Sequence, residues 1–505
     1  MFGEREHCSG EETLPSKPTT RWQVSGYRFL VRRMEHALVR RDVRMLHDPM
    51  RSQSRAYAAG LIMACVVLAG CGVLALLRPQ DKIGSNKILI GKDSGAVYVV
   101  LDDAVHPALN LASARLAAGD SAKPVIVKES ELGKKPRGTL IGIPGAPGSL
   151  HFDKDGKGHV WTVCDTLKVD GGNALTMTVM VGDPELGAKA GPLPKDKALL
   201  VQGKDYVYLV YNNSRARVDL NDPAVTGPLN IRGLTPRPIS EGLLNAIPEV
   251  APIKPPTIDD PGGAPTYPIN NLRIGTVVQV ADKPNQYWVV LRESLQEISP
   301  LTAEIIKASQ RNSEHGTKIS DFDQRHAPNP VVLNVGTYPQ TTPVIVQPKE
   351  QQVSCLSWKP NTAASKDSGN RADLSVLTGV NLPLADSAKP VTLAQSDNRG
   401  LRADAFYLPP STGAFLQTTG IEPDSRRKDS MFYIADTGVS YGIKNGDSAK
   451  ALGMDGITPE PAPWPIVGLL AVGPVLGREE ALVAHDGVAP DAAPAKTPAS
   501  AVNSK

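Results

Sequence analysis

Aromatic residues make up only 5% of this 505-residue sequence, and its formal net charge is just +3. So small a net charge excludes a chain whose whole surface coats nucleic acid. Cysteine is scarce, with five in all, and the nine histidines are scattered. No H-E-x-x-H and no Cys/His cluster of metal spacing occurs, which excludes the common zinc sites. Glycine (45) and proline (44) are abundant. With few aromatics, that composition favours short strands and many turns over long helical bundles. The length allows three or four domain-sized units.

Long hydrophobic runs are also lacking, save one. Within "YAAGLIMACVVLAGCGVLALLRPQ" (57–80) lies a charge-free stretch from Ala56 to Leu77, bounded by Arg55 and Arg78. A spanning helix needs about 20 apolar residues. Leu68-Ala69-Gly70-Cys71 has the form of a lipobox. A secretory apolar region, however, is about 7–15 residues long and lies within the first 15–30 of a chain. Here the run starts late and continues past Cys71 through Val73, Leu74, Leu76 and Leu77. An uncleaved anchor over 56–77 is expected. Arg40, Arg41, Arg44, Arg51 and Arg55 precede it, against Asp42 and Asp48, while Arg78 and Lys82 follow. The positive-inside rule then puts the N-terminus in the cytoplasm and exports the rest.

That topology sorts the cysteines. Cys8 is cytoplasmic, Cys65 and Cys71 lie in the span, and Cys164 and Cys355 are exported. Two thiols in an oxidising compartment point to one disulfide. "VWTVCDT" (160–166) and "VSCLSWKP" (353–360) read as core strands, each with a Trp three residues from its Cys, on opposite sides.

Before the span, "QVSGYRFLVRRMEHALVRRDVRMLHDPMRSQSR" (23–55) reads as one amphipathic helix, with Ser25 as N-cap and Pro49 as stop. Phe29, Leu30, Met34, Ala37, Leu38 and Met45 recur at helical spacing. Arg28, Arg32, Arg33, Arg40, Arg41 and Arg44 supply a cationic surface for anionic lipid or an acidic neighbouring subunit. A merely solvated charged helix leaves the apolar stripe unexplained.

The exported region contains a repeat. Tyr98–Ala114, Tyr208–Ala224, Tyr287–Ala303 and Tyr433–Ala449 share a spacing of 16 residues. Each Tyr sits in an apolar run ("YVVL", "YLVY", "YWVVL", "FYIA"). A turn, a second strand and a capping residue follow: Asn110, Asn221, Ser299 or Asn445. Each unit reads as strand, turn, strand, capped helix. Three units run into Pro-containing strips, "GIPGAP" (142–147), "AIPEVAP" (246–252) and "GITPEPAP" (456–463). The stretch "KPPTIDDPGGAPTYP" (254–268) reads as a linker between two pairs of units. The segments holding Cys164 and Cys355 lie outside the repeats, one in each half, and imply a shared core pinned by the disulfide. The Ala/Pro-rich tail has a disordered composition.

Candidate chemistry is sparse. Gly438-Val439-Ser440-Tyr441-Gly442 satisfies G-x-S-x-G. Ser440, however, aligns with Val105, Arg215 and Ser294 in the other units, and Gly446 and Asp447 interrupt any following helix. Gly91-Lys92-Asp93-Ser94 falls short of a Walker A loop: the upstream Gly84 is too distant and Asp93 takes the hydroxyl position. "DKDGKG" (153–158) lacks the remaining ligands of a calcium loop. No catalytic, cofactor or metal residue is assigned.

The arm 23–55, "HPALNLASARL" (106–116), "GIPGAP" (142–147), "WTVCD" (161–165) and "APWPIVGLL" (462–470) resemble segments of the EccB family of type VII (ESX) secretion machines. The resemblance runs from about Trp22 to about His485. It implies an α+β single-pass membrane protein with a cytoplasmic amphipathic helix. It also implies an elongated periplasmic domain of four strand-strand-helix repeats around a central β-rich core. The expected division is an N-terminus (1–22), the basic helix (23–55), the span (56–77), repeat 1 (78–150) and a first core segment (151–197). Repeat 2 (198–253), the linker (254–268), repeat 3 (269–345), a second core segment (346–400), repeat 4 (401–485) and the tail (486–505) follow. The partners implied are the EccC motor ATPase, EccD, EccE, the mycosin protease, inner-membrane lipid and further copies of the chain, with no nucleic acid. The family has been ascribed ATPase activity, so ATP is the one cofactor that enters, and only if that ascription holds. The leading expectation is a structural channel component. An ATPase subunit, an esterase using Ser440 and a peptidoglycan-binding anchor are the alternatives.

Overall fold

The computed structural model describes residues 20–41, 49–77, 83–152, 158–168, 174–281, 283–310, 315–361, 370–396 and 400–488. The chain forms two compact units, 1–80 and 81–505.

In the first unit, helix Arg21–Arg40 begins at Thr20, whose N–H donates to Gln23 Oε1 at 3.0 Å. This is half of a capping box. The helix ends at Arg41, in the left-handed region (φ 54°), with its N–H on the Ala37 carbonyl. The single helix expected over 23–55 is therefore two helices. Ser25 lies inside the first, and Pro49 opens the second, Pro49–Leu77, rather than closing the first. Proline suits a first turn because the N–H it lacks would have no helical partner there. Residues 42–48, including Arg44, lie outside the described residues. Gln53–Leu74 is long and apolar enough to cross a membrane, with a mean hydropathy of 2.2.

Among the described residues the larger unit holds five sheets, and four share one connectivity. In the first, strands Ile88–Gly91, Val97–Leu101 and Ala104–Ala108 form an antiparallel meander. Helix Leu111–Ala118 then crosses over, and Val125–Val127 pairs parallel to the meander's first strand. A parallel partner cannot be reached by a tight turn, so the crossover helix is required. The second unit repeats this with Lys197–Gln202, Val207–Tyr211 and Ser214–Val218, helix Pro223–Thr226 and strand Arg237–Pro238. The third uses Val277–Val280, Lys283–Val290 and Leu295–Ile298, then Pro300–Ser309 and Thr317–Ile319. The fourth uses Gly413–Thr419, Met431–Ala435 and Val439–Ile443, a helix opening at Gly446, and Glu460–Pro463. A second short helix follows in each: Glu129–Leu132, Glu241–Ala246, Asp321–His326 and Trp464–Val467.

Each unit is thus larger than strand, turn, strand, helix: a strand precedes the Tyr-bearing one, and a strand and helix follow. Asn110, Ser299 and Asn445 cap the first helices, accepting the N–H of Ser113, Thr302 and Ser448. In the second unit the cap is Asp222, on the Ala224 N–H, and not Asn221. The strip 456–463 contains the fourth unit's parallel strand, so it does not correspond to 142–147 or 246–252, which come after the second helices.

The fifth sheet runs Val391–Thr392, Ala405–Tyr407, Ala174–Val181, Trp161–Lys168, Val353–Pro360, Ala372–Gly379, Ala190–Pro192. Its centre is two hairpins, one from each half of the exported sequence, joined along Trp161–Lys168 and Val353–Pro360. Strand Ala405–Tyr407 belongs to this sheet and not to the fourth unit, so the expected boundary at 400/401 falls too early. Likewise Val344–Ile345 pairs with the second unit's Lys197–Gln202 rather than with the third.

Packing pairs the units differently from their order in the sequence. One hydrophobic cluster joins Ile88, Val99 and Leu116 of the first unit to Tyr433, Ile443 and Leu452 of the fourth. A second joins Leu209 and Val225 of the second to Val289, Leu301 and Ile306 of the third, and takes in Ile258. The stretch 254–268 therefore connects two partners instead of separating two pairs. The largest cluster unites the central sheet with the second and fourth units.

Candidate functional site

Helix Arg21–Arg40 has no buried residue. Phe29, Leu30, Met34 and Leu38 are all more than half exposed, as are Tyr27 and Val39. Arg28 and Arg32 stand one turn apart, where like charges repel. Arg33, Arg40 and Arg41 extend the basic character to the helix end. An apolar row beside clustered arginines is a contact surface in need of an occupant.

The central sheet carries the disulfide. Cys164 and Cys355 are directly paired in the strand register and bonded, with Cα atoms 4.0 Å apart and a sequence separation of 191. Both are buried, among Met180, Val353 and Leu377. The same register sets Trp161 against Trp358, which explains the mirrored Trp–Cys spacing of the two segments.

Next to Cys164, Asp165 is buried and accepts the Ser240 N–H at 2.7 Å. Ser240 Oγ in turn caps Glu241–Ala246, accepting the Leu243 N–H. Arg237 is also buried and donates to the Gln351 and Gln352 carbonyls, both at 3.0 Å. Burial pushes the Asp165 carboxyl up to about 6, against the pull of the Ser240 bonds and of Arg237. Asp404 performs the matching task beside Ala174–Val181, accepting from Met177 N–H (2.8 Å) and Ser396 Oγ (2.9 Å). Of these carboxylates, Asp165 ties the second unit to the sheet, and Asp404 ties the chain entering Ala405–Tyr407 to the neighbouring strand Ala174–Val181. No sequence motif points to them, although Asp165 sits inside "WTVCDT", where a charge in a core strand is itself a signal.

The repeat framework is only partly a common framework. Ala114, Ala224, Ala303 and Ala449 are all buried on first helices. The tyrosines divide by face. Tyr98 and Tyr208 pack on the side of the second helices, with Leu132 and with Leu243 and Leu244. Tyr287 and Tyr433 pack on the side of the first helices, with Ile305 and with Leu452. The hairpin registers differ in the same grouping: Tyr98 and Tyr208 pair with Pro107 and Arg217, whereas Tyr287 pairs with Ile298 and Tyr433 with Tyr441.

The enzyme-like motifs are structural. Ser440 is buried within strand Val439–Ile443 and donates to the Ala471 carbonyl at 3.1 Å. It is neither exposed nor at a strand-to-helix elbow. In the Gly91–Ala96 turn, the Asp93 and Ser94 N–H groups donate to Glu129, at 3.1 and 3.0 Å to Oε1. Gly91, Lys92 and Gly95 N–H groups bind the Ala96, Val127 and Gly91 carbonyls. The donors a phosphate would need are taken by the protein itself. The Ser94 N–H bond holds the Glu129 carboxyl down at about 2. Among the described residues no three His, Cys, Asp or Glu side chains form a metal-sized group; most of "DKDGKG" (153–157) lies outside them.

A membrane-length helix, an arginine-rich helix before it and a disulfide-pinned β-rich body are features that suit a component of a membrane complex. The chain belongs to the EccB family: the family model for "Type VII secretion system ESX-1, transport TM domain B" matches residues 16–490. Among curated relatives, the protein named ESX-3 secretion system ATPase EccB3 of Mycolicibacterium smegmatis is 39% identical, over 93% of this chain and 91% of that one. ESX-1 secretion system ATPase EccB1 of Mycobacterium tuberculosis is 37% identical, over 96% and 98%. A chain of an intact ESX-5 inner membrane complex superposes with a TM-score of 0.74 at 31% identity, covering 96% of this chain and 100% of that one. An EccB3 dimer from an ESX-3 core complex gives 0.69 at 35% identity, covering 79% and 100%.

Proposed function

We propose that this chain is a structural component of an ESX inner-membrane secretion complex and builds its periplasmic portion by multimerising. The observation that carries this is the full-length correspondence with a chain of an assembled ESX-5 inner membrane complex. The helix Pro49–Leu77 supplies the single-pass anchor, N-terminus inside by the positive-inside rule. The four like-connected units arose by duplication and form a body around the central sheet. Their tyrosines and buried alanines act as packing residues. Arg28, Arg32, Arg33, Arg40, Arg41 and Arg44 meet lipid headgroups and acidic neighbours, including EccC, EccD or EccE. The mycosin protease engages the exported side. Force and ATP hydrolysis come from the EccC motor. A blue-native gel of the detergent-solubilised membrane tests this: the chain should run in a high-mass complex with those partners, and migration as a free monomer would end the reading.

A second reading comes from the relatives' names, which include the word ATPase. Its test is hydrolysis by the purified protein with Lys92→Ala as control. Turnover lost with Lys92 would make the chain an ATPase subunit. Equal background rates in both proteins support the structural role.

A further inference from the structure

Where the first and fourth units meet the strand entering the central sheet, a cavity of about 760 Å³ opens, and among the described residues no carboxylate lines it. Its wall carries four nitrogen-bearing side chains: Arg115, Lys123, His151 and His159. A concavity of this size suits a small molecule. The four groups come from two stretches of chain, 115–123 and 151–159. Arg115 projects from the last turn of Leu111–Ala118, and Lys123 follows that helix. His151 is held by Tyr433, whose hydroxyl donates to the His151 carbonyl (3.1 Å) and accepts its N–H (3.2 Å). His159 is fixed by Glu460, with Nδ1 2.6 Å and the backbone N–H 3.0 Å from Oε2.

Arg115 is the telling residue. It is partly buried, and burial lowers its pKa, so its charge sits where water screens it poorly. Its Nη1 donates to the Leu452 carbonyl at 3.3 Å, and among the described residues its Nε has no partner. Among the described residues it pairs with no carboxylate, and neither does Lys123. Asp436, near the rim, is engaged by the Ser411 N–H at 2.8 Å. A guanidinium taken partly from water without a counter-charge is costly, and an arriving anion with oxygens in a fork relieves that cost. Lys450, the fourth unit's counterpart of Arg115, reaches Asp455 at 3.7 Å instead.

We propose that this cavity binds a phosphate-class oxyanion, held by Arg115 with Lys123 at the mouth, and that the anion clamps the first unit to the fourth. The inference is independent of the secretion role.

The test is thermal melting of the full-length protein in detergent with inorganic phosphate, pyrophosphate or glycerol 3-phosphate, against potassium chloride at equal ionic strength. The expected result is a melting temperature that rises saturably at millimolar pyrophosphate or below. Arg115→Lys should weaken the apparent affinity severalfold and Arg115→Met at least tenfold; Lys450→Met should not change it. Because Arg115 bridges two units, Lys123→Glu provides an exposed second variant that leaves the packing alone, and it should also lose at least tenfold. A preference for glycerol 3-phosphate over pyrophosphate identifies a lipid-headgroup source, and the reverse identifies a free phosphate. No saturable rise with any of the three, or unchanged affinity in Lys123→Glu, overturns the proposal.

Discussion

Cys164 lies directly across from Cys355 on neighbouring antiparallel strands, and the bond joins two hairpins through cysteines 191 residues apart in sequence. In the chain-entropy account, closing so long a loop restricts the unfolded chain by roughly 5 kcal/mol, and removal of a native bond typically costs about 2–5 kcal/mol. The double variant Cys164→Ala, Cys355→Ala should therefore melt well below the parent while its membrane helix is untouched. An equal melting temperature would show that the sheet holds without the crosslink.

Asp165 gives a pH dependence of definite sign. Its folded pKa is raised from 3.8 to about 6, so between those values the folded protein holds a proton that the unfolded chain has lost. Stability from this group is fully present below 3.8 and is lost as pH rises through 6. The linked loss is roughly 3 kcal/mol by neutral pH. Asp165→Asn should flatten this portion of the stability–pH curve, since an amide oxygen still accepts the Ser240 N–H. A curve with the parent's slope between pH 4 and 7 would assign the effect to another group.

What can be read in the sequence follows from how local each signal is. The span is a run of residues, and the caps Asn110, Ser299 and Asn445 act on N–H groups three residues away. Both are legible. The break at Arg41 is not, because arginine carries no preference for the left-handed backbone it adopts there. Nor is the division of the tyrosines between two faces, because hairpin register depends on the turn and not on the distance to the next helix. The pairing of the first unit with the fourth rests on contacts such as Val99 with Tyr433's cluster, which no linear spacing records.

Ser440 donates one hydrogen bond to the Ala471 carbonyl. Ser440→Ala should cost about 1 kcal/mol of stability and leave secretion intact. Loss of secretion at normal protein abundance would make the G-x-S-x-G segment a candidate for chemistry again.

The charge-free stretch Ala56–Leu77 lies in one helix that continues past Cys71. Intact-mass analysis of the membrane protein should find residues N-terminal to Cys71 still attached. A mature chain starting at an acylated Cys71 would mean the lipobox is obeyed.

The arginines of the first helix separate assembly from folding. In the proposed topology Arg32, Arg33, Arg40 and Arg41 lie across the bilayer from the disulfide and from every sheet. Replacing all four with Ala cannot reach those elements through contact, and it retains Arg51 and Arg55 to orient the span. On the proposed reading it removes attraction to anionic headgroups worth about 1 kcal/mol per basic residue, together with any ion pairs to neighbouring subunits. The exposed row of Phe29, Leu30, Met34 and Leu38 remains, so a partner bound by apolar contact alone would be kept. The expected outcome is normal membrane abundance and an intact disulfide by non-reducing peptide mapping, with loss of the high-mass complex and of secretion. If the quadruple variant secretes normally at parental abundance, the arginines are dispensable and the apolar row alone carries the contact.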